Sequence, residues 1–257
     1  MNTNNQRLNV NTINIFDVNI NNDTMAQAVE WIVTKASGQK KVVAQFVNAD
    51  CLNKAYCDLN YRSTLNKAQH IFADGSGIAL AGKITQQDVA DNVNGTDLFP
   101  LLCEKSQKTD MRIFLLGARP NVAKKTRENM HRQYPEAKIV GAKHGYFDED
   151  DTDAVIAKIN ASGANVLLVA MGAPTQEHWI EQHRHKIDAT VCIGVGGLFD
   201  FYSGRVSRSP LWLRKLGCEW IWRLLQEPNR MWQRYLIGNF SFIFRVLKQK
   251  YLGVTHA

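Results

Sequence analysis

A chain of 257 residues with ordinary apolar content has enough material for one large domain or two small ones, so disorder is not the default. Its five cysteines (Cys51, Cys57, Cys103, Cys192 and Cys218) are odd in number and scattered, with no C-x-x-C pair, which speaks against a disulfide framework or a zinc site. The net charge of +7 is concentrated in the tail: Gly204 to Ala257 carries ten Lys/Arg and two acids, a net +8, which leaves −1 for the remainder. An anionic partner therefore meets the tail, and the near-neutral body argues against nucleic acid.

The chain opens on MNTNNQRLNVNTIN, a polar, Asn-rich stretch without the basic and apolar regions of a signal peptide. No apolar run approaches the roughly 20 residues that span a bilayer. A cytoplasmic protein is expected. Lys41 to Asn48 is a short β-branched apolar run, and Ala49 to Asn66 then reads as one helix. Gln69 to Ala73 is a second strand, ending in the turn Asp74-Gly75-Ser76-Gly77. Arg112 to Gly117 is a third, followed by a helix through Tyr134 with Asn121 as its expected N-cap. Lys138 to Gly141, Val166 to Met171 and Thr190 to Val195 complete the strands. Near-continuous apolar strands separated by helices predict a Rossmann-like α/β fold, a mostly parallel sheet with helices on both faces. Beyond Gly204 strand patterning stops, and four of the six tryptophans cluster there. The expected division is an α/β catalytic body over residues 1–203 and a helical, basic and aromatic appendage over 204–257.

Open α/β sheets bind ligands at the carboxyl ends of their strands. That rule selects Asn48, Asp74, Gly117, the run Gly172 to Glu177 with Gln176 and Glu177, and Gly194, Gly196 and Gly197. Glycine turns let backbone N–H groups approach a diphosphate, although tight turns alone would select them too. Asp74 is the strongest candidate for chemistry, because it sits at a strand end where the surrounding glycines permit close substrate approach, and a carboxylate there suffices as a general base. A helix-capping turn is its structural alternative. Asp97, after Asn94-Gly95, suits either a contact to sugar hydroxyls or an N-cap. The acidic run Asp148 to Asp153 reads as a helix start rather than a metal site, and His178, His183 and His185 do not share a helical face. In the tail, aromatics beside Arg205, Arg208, Arg214, Arg223, Arg230, Arg234 and Arg245 suit an anionic membrane surface better than an ordinary packed helix.

These blocks together resemble the WecG/TagA/CpsF family (glycosyltransferase family 26) from about Ile13 to about Arg245. The matching stretches are Val47-Asn48-Ala49-Asp50, Phe72 to Gly77, Asn94 to Leu98, Met171 to Glu177 and Gly194 to Asp200. The tail adds Arg208-Ser209-Pro210, Leu216 to Trp220, Arg223-Leu224 and Glu227-Pro228 with Arg230. The resemblance implies transfer of N-acetylmannosamine, its uronic acid or glucose from a UDP-sugar to an undecaprenyl-diphosphate-linked acceptor, with inversion and without a metal or other cofactor. It implies Asp74 as base, and Arg223, Arg230 and Arg234 closing over the diphosphate. It also implies a peripheral place on the inner face of the cytoplasmic membrane, in polysaccharide synthesis of the exopolysaccharide type. Two positions depart from the family pattern: Phe46 stands where many members have Thr, and Asn92 where many have Arg. A homo-oligomer is compatible with the sequence. The rival classes are a Rossmann-type nucleotide-cofactor oxidoreductase and a non-enzymatic membrane scaffold.

Overall fold

The computed structural model describes residues 12–257; the polar segment 1–11, which carries most of the stretch read for a signal peptide, lies outside the described residues. The strands are β1 (Thr12–Ile15), β2 (Val18–Asn21), β3 (Val42–Val47), β4 (His70–Ala73), β5 (Ile113–Gly117), β6 (Ile139–Lys143), β7 (Val166–Ala170) and β8 (Val191–Gly194). They form one eight-stranded sheet in the order β1-β2-β4-β3-β8-β7-β5-β6. Only β1 and β2 pair antiparallel; β2–β4 and every later pair are parallel. The carboxyl ends of β3, β4, β7 and β8 therefore share one edge.

The β1–β2 hairpin has no counterpart in the sequence reading. Its signal is faint: Ile13, Ile15, Val18 and Ile20 point inward between outward asparagines. The two turn residues, Phe16 and Asp17, both have positive φ, at 55° and 59°. Such a two-residue turn normally announces itself with Asn-Gly or Gly. Here burial of the Phe16 ring holds it instead.

The helices of the body are α1 (Met25–Ala36), α2 (Ala49–Cys57), α3 (Leu59–Asn66), α4 (Ser76–Thr85), α5 (Gly95–Lys108), α6 (Val122–Gln133), α7 (Thr152–Ala161), α8 (Thr175–His183) and α9 (Leu198–Tyr202). Side chains alternate across the sheet. Ala44, Phe46, Leu115 and Leu168 pack with α1, α5, α6 and α9, whereas Val43, Phe114, Leu116 and Leu167 pack with α7 and α8. The single helix expected over Ala49 to Asn66 is two helices. Asp58 leaves helical geometry, and its carboxylate accepts from the backbone N–H groups of Asn60 and Tyr61 at 2.9 and 3.0 Å to start α3 afresh. Asn121 does precede α6, but in left-handed geometry and without a side-chain capping bond.

The last part of the chain is helical: α10 (Leu211–Lys215), α11 (Glu219–Gln226), α12 (Pro228–Trp232), a π-helical turn over Gln233–Ile237 and α13 (Gly238–Leu252). α13 inserts Phe242 and Val246 into a core shared with Phe16, Tyr56 and Ile78. Gln249 accepts from the Phe16 N–H at 2.9 Å, and the Thr255 hydroxyl donates to Asp17 at 2.6 Å, so the chain end clasps the hairpin. Among the described residues no helix is long and apolar enough to cross a membrane.

Candidate active site

Asn48 and Asp74 sit at neighbouring strand ends because β3 and β4 run parallel in register. The Asn48 side-chain oxygen caps α2, accepting from the N–H groups of Asp50 and Cys51 at 3.1 and 3.2 Å. This leaves its amide N–H group for the Asp74 carboxylate, at 3.5 Å. Burial pushes the Asp74 carboxyl from its ordinary value up to about 6, against the Asn48 hydrogen bond and the positive charge of Arg234. Asn92 accepts from the Gly75 N–H at 2.6 Å and pins the turn that carries Asp74. The hydroxyl of Ser76 donates to the Gly217 carbonyl at 2.8 Å, so the tail lies directly against this turn.

The glycine turns separate into two kinds. Gly117 is a packing position: a Cβ there would sit 2.4 Å from the Ala170 carbonyl oxygen. Gly194 is another, since its Cβ would meet the Gln45 and Gln176 side chains. Gly172 and Gly196 differ, with positive φ and open space where a side chain would stand, so a ligand can approach their backbone. Gln176 ties those two loops together. Its carbonyl oxygen accepts from the N–H groups of Gly172 and Gly196 at 3.2 and 2.9 Å, and its amide donates to Glu177 at 2.9 Å. Gln176 and Glu177 are both buried, and burial raises the Glu177 pKa against the Gln176 hydrogen bond. They brace the loops from beneath.

Asp97 is not the N-cap of α5; Asn94 is, accepting from the Asp97 N–H at 2.8 Å. The Asp97 carboxylate instead takes Asn94 on one oxygen and Arg208 on the other, at 2.7 and 2.8 Å, with Arg214 at 3.8 Å. Phe46 is buried, its ring 5.0 Å from that of Phe72 and close beneath Gly95. The acidic run forms a short 3-10 turn over Glu149–Asp151 that leads into α7, and Asp153 pairs with Lys186 at 2.7 Å. His178 contacts Thr64, and His183 lies against Trp179.

The tail arginines reach the sheet edge through carboxylates. Arg223 is buried, 3.1 Å from Glu227 and 3.6 Å from Asp200, with its guanidinium over the Phe201 ring and beside Gly197. Burial lowers its pKa against the pull of Glu227. Arg205 binds Asp200 at 3.0 Å, and Arg230, half exposed, lies 3.3 Å from Glu227 and 3.9 Å from Asp200. Arg234 stands on another carboxylate, 3.6 Å from Asp50, which also holds Lys54 at 2.9 Å. The sequence reading assigned no role to Asp50, Asp200 or Glu227, and took Arg208 only as one of the basic groups facing a membrane surface. Glu227 had two available signals, its place in the Glu227-Pro228 match and its being one of only two acids in an arginine-rich tail.

The arrangement is one half-buried carboxylate beside open glycine turns, covered by arginines. A profile of the glycosyl transferase WecG/TagA/CpsF family matches residues 13–254. The N-acetylglucosaminyldiphosphoundecaprenol N-acetyl-beta-D-mannosaminyltransferase of Staphylococcus aureus (strain MW2) is 31% identical over 247 residues, covering 95% of this chain and 96% of the relative. The protein of the same name from Bacillus subtilis (strain 168) is 32% identical over 230 residues, covering 89% of this chain and 88% of the relative. The chain belongs to the WecG/TagA/CpsF family and is a glycosyltransferase.

Proposed function

We propose that the protein transfers a sugar, with inversion and without a metal, from a UDP-sugar to an undecaprenyl-diphosphate-linked acceptor during synthesis of a cell-surface polysaccharide. The observation that carries this reading is Asp74: a carboxylate at a strand end, held by Asn48, with its pKa raised by burial to about 6. Such a group is ionised at neutral pH and still basic enough to accept a proton. The acceptor hydroxyl attacks the anomeric carbon from the face opposite the nucleotide and passes its proton to Asp74. The bond between that carbon and the UDP oxygen breaks, and UDP leaves with the electron pair. Arg223 and Arg230 face the charge that develops on the diphosphate. Membership in a glycosyltransferase family sets aside the oxidoreductase and scaffold alternatives.

The names of the relatives favour N-acetylmannosamine as the sugar and lipid-diphosphate-linked N-acetylglucosamine as the acceptor. A peripheral position on the inner membrane face is supported by the tail. Twelve of the sixteen exposed large apolar side chains among the described residues lie at or beyond Leu211, including Trp212, Phe240 and Phe244. Exposed aromatics flanked by Lys and Arg suit an anionic interface. The test is turnover of UDP-N-acetylmannosamine with a short-chain lipid-diphosphate-linked N-acetylglucosamine, in excess EDTA, by wild type and Asp74→Asn. Wild type is expected to remain active in EDTA, and the variant to lose about 10²–10⁴ in rate while binding UDP normally. Near-normal turnover by the variant would remove Asp74 as base; loss in EDTA restored by Mg²⁺ would remove metal independence.

A further inference from the structure

The proposed reaction brings two diphosphates to one site, the donor's and the acceptor's, and the arginines fall into two sets that share Arg230. The first surrounds Asp200 and Glu227 beside Gly197, at the end of β8. The second lines an open groove of about 350 Å³ between α2 and the start of α13. Arg230, Arg234 and Arg245 contribute guanidinium groups to the groove, and Asn53, Gln233 and Ser241 contribute neutral polar groups. Asp50 is its one carboxylate, already shared between Lys54 and Arg234. The groove is therefore net positive. The Arg234 Nε is buried 3.6 Å from the Asp50 carboxylate, which holds that side chain in the groove wall.

The place of this groove decides which diphosphate it suits. At one end it touches the chemistry: Asp50 lies two residues after Asn48, which contacts Asp74, and Arg234 is near enough to hold the Asp74 carboxyl down. Ile237 also lines it, and from there an exposed apolar ridge of Phe240, Phe244, Leu247 and Tyr251 runs along α13. Steps of three and four residues keep that ridge on one helical face. A ligand lying along this path has a sugar hydroxyl at Asp74, a diphosphate among the arginines and an apolar chain beyond them.

We infer that the groove between α2 and α13 binds the diphosphate of the lipid-linked acceptor, with Arg234 and Arg245 as its principal cationic groups. Arg245 is pre-set for this, donating to the Asn53 carbonyl and side chain at 3.1 and 2.8 Å and stacking over Tyr56. Arg230 stands between the two sets. The assignment rests on the two-substrate reading above and divides it: Arg223 serves the nucleotide, Arg234 and Arg245 the lipid.

The experiment uses Gln233, whose side chain is exposed and lines the groove, so that charge is changed without opening the core. Gln233→Glu and Gln233→Lys are compared with wild type. Two-substrate kinetics use UDP-N-acetylmannosamine and a short-chain prenyl-diphospho-N-acetylglucosamine. Equilibrium binding is measured for that acceptor, for UDP and for inorganic pyrophosphate. Gln233→Glu should raise the acceptor KM and Kd about tenfold or more, the scale of one hydrogen bond to a charged group, with the donor KM and the UDP Kd within about twofold of wild type. Gln233→Lys should shift acceptor affinity the opposite way. Pyrophosphate should compete with the acceptor in wild type and lose that competition in Gln233→Glu. A variant that weakens UDP instead would give the groove to the nucleotide; variants that move neither substrate would show that no diphosphate sits there. If wild type binds the prenyl diphosphate through Gln233-dependent contacts yet turns over no UDP-sugar, the groove stands and the proposed reaction falls.

Discussion

The two halves of the C-terminal segment attach to the body by different forces. From Arg205 to Ile237 the contacts are mostly charged: Arg208 on Asp97, Arg205 and Arg223 on Asp200, Arg234 on Asp50, beside the Ser76 hydroxyl on the Gly217 carbonyl. α10, α11 and α12 bury little apolar surface, and Leu211, Trp212, Leu216 and Leu225 stay exposed. α13 reverses this. Phe242 and Val246 are fully buried, and Phe242 meets the Phe16 ring edge-on at 5.8 Å. The Arg223–Asp200 pair is buried, but the others are partly exposed, and such ion pairs contribute little and weaken with salt, whereas buried apolar area holds at any ionic strength. The segment is thus a charged cover strung between the body and a fixed strut, with the arginines proposed to meet the leaving diphosphate on the charged part.

The largest expected effect sharpens that contrast at the strut. Phe242→Ala should cost about 3–5 kcal/mol of stability, as truncation of a buried aromatic does, and thermal unfolding measures it. Turnover per folded molecule should fall far less than stability does, well below the melting temperature, because Phe242 reaches the Asp74 turn only from behind, at Gly77. Truncation after Gly204 removes Phe242 and Val246 together, so the remaining body should melt earlier than Phe242→Ala. An unchanged melting temperature in either protein would mean that α13 belongs with the cover.

At the cover the balance inverts. Arg223→Ala should lose about 10²–10³ in kcat, the scale of one preorganised donor at a developing oxyanion. Its stability should fall by only about 1–2 kcal/mol, since Arg205 and Arg230 remain beside Asp200 and Glu227. Steady-state kinetics and thermal unfolding on the same preparation separate the two effects. Full activity in the variant would place the charge-stabilising group elsewhere.

How much of this the sequence discloses follows from how local each cause is. The six parallel strands are legible because continuous apolar runs such as Val166–Ala170 need no partner to be recognised. Asp74 is legible because a strand end followed by Gly75 marks an edge. The β1–β2 hairpin is obscured because Phe16 and Asp17 take a turn conformation their side chains do not advertise. α13 is harder still: Phe240, Phe242 and Phe244 alternate in composition with nothing to separate the buried ring from the two exposed ones. That distinction is made by the hairpin and α2, which lie far away in the chain. The pairing of Asp200 with Arg223 and Arg230 likewise exists only once β8 and the tail are brought together.

The smallest effect tests whether the cover's charge reaches into the body, and pH reads it. Asp74 must be ionised to accept a proton, and burial places its pKa at about 6, so kcat/KM should rise with pH through about 6 and then level. The Asn48 hydrogen bond and the Arg234 charge both favour the carboxylate. Removing either, by Asn48→Ala or Arg234→Gln, should move this acid limb to higher pH, by less than about one unit for a single contact near a surface. Stability runs the other way. The folded pKa of Asp74 lies above its ordinary 3.8, so the stability linked to its protonated form is present below 3.8 and lost as pH rises through about 6. Asp74→Asn never carries that charge and should melt higher than wild type at neutral pH, by on the order of 1 kcal/mol once solvent screening is allowed for, and no higher at pH near 4. A pH-independent kcat/KM from about 5 to 8 would show that no carboxylate of this pKa takes the proton. A limb that shifts in Asn48→Ala but not in Arg234→Gln would confine the tuning of Asp74 to the body and leave the cover with the leaving group alone.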